Sequence, residues 1–121
     1  MALTWTLDHE QKLIHVVADG PVTLADMERH FDDLVTKNVL SYAKLFDATK
    51  LVPVYSEQDM FAMGARLSVY AALDNGPLAV VGKGDAVHLA TKRFFNMSSS
   101  PRPAKIFSTV AKARKWLGTQ V

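Results

Sequence analysis

Apolar and polar positions alternate from the start of the chain. Leu3, Trp5 and Leu7 are interleaved with Thr4, Thr6 and Asp8, the period-two pattern of a half-buried strand. A turn at His9-Glu10-Gln11 leads to a second run rich in β-branched residues, Lys12 to Asp19. Gly20-Pro21 is expected to end that run, because proline lacks the ladder donor and glycine frees the turn. The two runs predict an antiparallel hairpin. Periodicity then switches to that of a helix. Thr23 stands at its start with Asp26 three residues on, and Leu24, Met27, Phe31, Leu34 and Val35 share one face before Lys37-Asn38 closes it. Lys44 to Ala48 reads as a third strand.

A second helix begins at Ser56, with Asp59 as an approximate capping box, and stops at Asn75-Gly76-Pro77. The continuous apolar run from Pro77 to Gly82 predicts a central strand covered on both faces. Gly84-Asp85 opens a third helix through Phe95, residues 98–103 form a loop, and Ala104 to Ser108 give a short fifth strand. Thr109 caps a last helix with Val110, Ala113 and Leu117 on one side and Gly118 at its end. The order β-β-α-β-α-β-α-β-α predicts one α/β domain over residues 1–121. Its five-stranded sheet is mixed, an opening hairpin followed by parallel strands joined through right-handed crossovers.

The second helix departs from the usual amphipathic pattern. Between Met60 and Leu73 the one strongly polar side chain is Arg66. Met60, Met63, Gly64, Leu67 and Ala71 make one face, while Phe61, Ala65, Val69, Ala72 and Leu73 spread around the others, with Tyr70 among them. A helix apolar nearly all round must be covered on more than one side. In a domain this small the second cover is expected to be a partner subunit, making a homodimer, or else a hydrophobic ligand. Methionines and a glycine suit an adaptable, close contact.

Composition narrows the chemistry. The 121 residues contain no cysteine, which excludes disulfides, thiolate metal sites and cysteine nucleophiles and fits a reducing cytoplasm. No signal peptide and no apolar stretch long enough to span a bilayer are read. The net charge of +2 hides an asymmetry. Residues 1–60 carry five bases against ten acids, and residues 61–121 carry nine bases against two. Attraction between two halves of one fold, or solvated lysines at helix ends, accounts for this more simply than a nucleic-acid surface.

No constellation for catalysis emerges. His9, His15, His30 and His88 lie on different elements and none forms the paired spacing of a zinc site. His15, on one strand face with Leu13 and Val17, is expected to be packed and hydrogen-bonded. The stretch from Val80 through Gly82, Lys83 and Gly84 superficially resembles a phosphate loop. Val87 breaks the glycine fingerprint, however, and Asp85 would repel an anion at the helix start. No nucleophile elbow is present. Asp47, near the carboxyl end of the third strand, stands where open α/β sheets place ligand groups, or where it would hold the following loop. No enzyme activity, metal or cofactor is expected.

Taken together, LTWTLDHEQKLIHVVADGPVTLADMERHFDDL, YAKLFDAT, the apolar helix and PLAVVG resemble the bacterial SpoIIAA-like proteins, also described as STAS/SEC14-like domains. The resemblance covers nearly the whole chain. It implies a SpoIIAA-like mixed sheet wound with helices and two unlike roles. One is a regulatory module switched by phosphorylation at a helix start, and the other a carrier of a lipid or similar hydrophobic ligand. Ser56 falls near the modified position of the first role. Tyr55, Glu57 and Gln58 depart from the pattern around it, and Glu57 and Asp59 would repel a phosphate, so a plain helix cap is expected there. The expectation from sequence is thus a non-enzymatic regulatory or protein-interaction module, the alternative being the ligand carrier.

Overall fold

A computed structural model describes residues 2–54, 56–59, 61–62, 65, 76–82 and 104–120. Five strands, β1 (Leu3–Asp8), β2 (Leu13–Val22), β3 (Ala43–Pro53), β4 (Leu78–Val81) and β5 (Ala104–Phe107), form one sheet in sequential order. β1 and β2 pair antiparallel, and each later neighbour pairs parallel. The mixed sheet and the opening hairpin expected from the pattern are both present. Two helices are described in full, α1 (Leu24–Thr36) and α2 (Val110–Gly118). The third predicted helix and the loop at 98–103 lie outside the described residues.

α1 begins and ends on local chemistry. Thr23 Oγ1 accepts from the Asp26 N–H at 3.2 Å while the Asp26 carboxylate accepts from the Thr23 N–H at 3.0 Å, a reciprocal capping box. At the other end Asn38 turns left-handed (φ 57°) and donates to the Val35 carbonyl, and Val39 donates to that of Leu34. This is a Schellman closure, and buried Val39 packs with buried Leu34 in the same cluster beneath it. A Thr23→Ala variant is expected to lose about 1 kcal/mol of unfolding free energy by urea denaturation.

Packing uses both faces of the sheet. Met27, Phe31 and Leu34 of α1 are buried with Leu3, Ile14, Val16, Ala18 and Val22. On the opposite face Ala113 and Leu117 of α2 cover Leu45, Ala79 and Val81. β4 is therefore buried at every residue, as its unbroken apolar run predicts.

Three expectations need correction. β2 runs through Gly20-Pro21 to Val22, and β3 extends to Pro53 rather than stopping at Ala48. The register pairs Val17 with Asp47 but Asp19 with Lys50, so β3 carries an extra residue there. The two strands stay paired past that bulge and past Leu3, the first residue of β1, which pairs with Ala18. Pro21 is tolerated because no β1 residue pairs with it, and Gly20 takes a φ of +96° open only to glycine without strain. Val35 is exposed, and His30 takes the expected place on the buried face of α1.

Candidate functional site

The end of β3 and the start of the second helix gather the residues singled out from sequence. At the bulge, Asp47 Oδ1 accepts from the Thr49 N–H at 3.1 Å and from Thr49 Oγ1 at 2.7 Å. β3 runs on to Pro53, so Asp47 lies inside the strand and not near its carboxyl end as expected, and its carboxylate holds the bulge rather than a following loop. Six residues past Lys50, Ser56 Oγ accepts from the Asp59 N–H at 3.1 Å, and Asp59 Oδ2 accepts from the Ser56 N–H at 3.0 Å. The hydroxyl of Ser56 is engaged as a reciprocal helix cap. A phosphate on it would meet the Asp59 carboxylate within hydrogen-bond reach of the same backbone.

Beyond this cap, residues 57–59, 61–62 and 65 are helical. Phe61 is 68% exposed, and Ala62 and Ala65 are exposed with it. Val52 and Val54, at the end of β3, are 50% and 49% exposed. Large apolar side chains thus face outward both on the last residues of the strand and on the first turns of the helix. Met60, Met63, Gly64, Leu67, Tyr70 and Ala71 lie outside the described residues. A side of the helix that is apolar in sequence is open in the single chain at Phe61, Ala62 and Ala65.

The most unusual polar contact lies elsewhere and was not found from sequence. Lys44 Nζ is 2.8 Å from His30 Nε2, with His30 fully buried and Lys44 6% exposed. An ammonium has only donors, so Nε2 accepts and the ring proton resides on Nδ1. Nδ1 is itself buried without a hydrogen-bond partner. Trp5 packs edge-on to the imidazole at 4.5 Å between centroids, and Lys44 Nζ stands 5.2 Å from the Phe31 ring centre. Burial first, and the nearby Lys44 charge second, push the His30 imidazole down to about 2. It therefore stays neutral over the ordinary pH range, walled from solvent by the α1–sheet core. The sequence did carry a signal. His30 falls three residues after Met27 and four before Leu34, and Lys44 alternates in phase with Phe46 and Ala48.

The remaining histidines do not converge on this pair. His9 Nδ1 contacts the Tyr42 hydroxyl at 2.8 Å on the surface. His15 is half-buried as expected, but its Nε2 has no partner, which corrects the expected hydrogen bond. Among the described residues no three His, Asp or Glu side chains are grouped to hold a metal ion. His88 and the glycine-lysine turn from Lys83 lie outside the described residues. Among those residues, too, no helix is long and apolar enough to cross a membrane.

No family model matches the chain, and no curated protein matches it. Among solved structures it is similar to the crystal structure of an uncharacterized protein from the DUF3478 family with a SpoIIAA-like fold, from Shewanella loihica PV-4. The TM-score is 0.62 at 21% identity, over 96% of this chain and 92% of that one. At that identity the likeness establishes the fold, and the fold is SpoIIAA-like, as the resemblance implied.

Proposed function

We propose that this SpoIIAA-like chain is a non-enzymatic regulatory or protein-interaction module that forms a homodimer through the apolar helix that follows Ser56. The supporting observation is the outward-facing Phe61, with Val52 and Val54 exposed at the neighbouring strand end. Covering one such phenylalanine contributes about 2 kcal/mol, and a symmetric contact uses it twice. A regulatory role of this kind needs no nucleophile. Asp47 and Ser56 are occupied in holding the bulge and the helix cap, and the His30–Lys44 pair is sealed from any substrate. The cysteine-free composition goes with a cytoplasmic setting.

Sedimentation equilibrium of the full chain tests this reading. A dimer is expected, and Phe61→Glu is expected to weaken it by at least 100-fold while leaving the circular dichroism spectrum unchanged. A native chain that stays monomeric at high concentration overturns the proposal. Native mass spectrometry on the same sample separates the alternative, because a monomer carrying a co-purified lipid would mark the helix as a ligand cover.

A further inference from the structure

We infer that the face formed by β5 and α2 is a second docking surface, one that takes an acidic segment of a partner protein. Lys105, Lys112, Arg114 and Lys115 are all exposed, and residues 104–121 contain no Asp or Glu. Among the described residues these four cations form no ion pair, whereas on α1 two of the four carboxylates are held in local ion pairs. There Asp26 pairs with Arg29 and Asp33 pairs with Lys37 while accepting from Trp5 Nε1. Glu28 and Asp32 are engaged as well. A second copy would present these carboxylates on a helix, not on the extended strand that the edge of β5 can pair with. The unmet charge on α2 calls for carboxylates from another protein.

Geometry favours an extended segment. β5 is the last strand of the sheet and pairs with β4 alone among the described residues. Its partners Ala79 and Val81 pack beneath α2, so Lys105 and Phe107 lie on the α2 side of the sheet. Lys112 and Lys115, three residues apart, share one flank of the helix. A strand added to the outer edge of β5 would therefore present alternate side chains to Lys105 and to that flank. Nucleic acid fits less well. The Phe107 ring is already engaged by Lys105 Nζ at 5.7 Å and by Trp116 at 5.6 Å between centroids, leaving it no open platform for a base.

This surface is separate from the proposed dimer contact, and its test is too. Fluorescence anisotropy is read with a labelled peptide of alternating Glu and Val, the matching Lys and Val peptide, and a single-stranded oligonucleotide. The acidic peptide is expected to bind, to weaken at least tenfold between 50 and 300 mM salt, and to lose at least tenfold in affinity with the double variant Lys112→Glu and Lys115→Glu. Sedimentation of that variant should show self-association unchanged, which keeps the two proposals distinguishable. Absence of acidic-peptide binding, insensitivity to the charge reversal, or tighter binding of the oligonucleotide would each overturn the inference.

Discussion

Replacing Gly76 with alanine is expected to lower the melting temperature by about 10 °C, from a loss of roughly 3 kcal/mol. The reason is space. A β-carbon on Gly76 would sit 2.2 Å from the Tyr42 carbonyl oxygen and 2.5 Å from that of Ser41. These are backbone atoms at the entry to β3, not the ends of flexible side chains, so the chain itself must move. Gly76 N–H also donates to the Leu40 carbonyl at 2.9 Å, and Lys44 N–H donates to the Pro77 carbonyl at 2.8 Å. The 40–44 and 76–78 segments are thus laced together where β3 and β4 begin, and the added methyl would separate both bonds. By contrast, Gly118→Ala meets nothing within 4 Å and is expected to leave the melting temperature within a degree or two. Differential scanning calorimetry of the two variants checks the pair. Equal, small shifts would show that the segments yield without cost.

Gly76 also illustrates what the sequence could and could not disclose. Asn75-Gly76-Pro77 reads correctly as a stop, but the contact that demands glycine is with residues over thirty positions away. Local signals were legible for the same reason that distant ones were not. The Thr23 and Thr109 caps, the Lys37-Asn38 closure and the unbroken apolar strand β4 all follow from neighbouring residues. The extension of β2 past Gly20-Pro21 involves a bulge in another strand and the point where β1 begins, so chain-local rules for glycine and proline predict too short a strand. At the candidate site the cap role of Ser56 was already legible, whereas the place of Asp47 at a bulge inside β3 was not, because it depends on pairing with β2. The His30–Lys44 pair was missed because each residue, taken singly, looks like a surface group; only the superposed phases of α1 and β3 place both inside. The exposure of Phe61 could not be read from a helix apolar on every side, since such a pattern names no outward face.

Between pH 6.5 and pH 4.5 the folded state is expected to lose about 2 kcal/mol of stability through His30 alone. The imidazole is held at about 2 in the folded chain against 6.5 when exposed. Unfolding therefore takes up a proton over this interval. Because the folded value is the lower one, the contribution is complete well above pH 6.5 and is lost as the solution becomes more acid, approaching about 1.4 kcal/mol per pH unit below that value. The carboxylates held low by the fold act in a different range. Asp26, lowered chiefly by the Thr23 backbone N–H, and Asp33, lowered chiefly by the Trp5 indole, depart from a starting value of 3.8 and come into play only below it. His30→Gln keeps an acceptor for the Lys44 ammonium but removes the titrating ring. Urea midpoints of the native chain should fall steeply from pH 6.5 to 4.5, while those of the glutamine variant should change little. Parallel curves for the two proteins would overturn the assignment of this pH dependence to His30 and its 2.8 Å contact with Lys44.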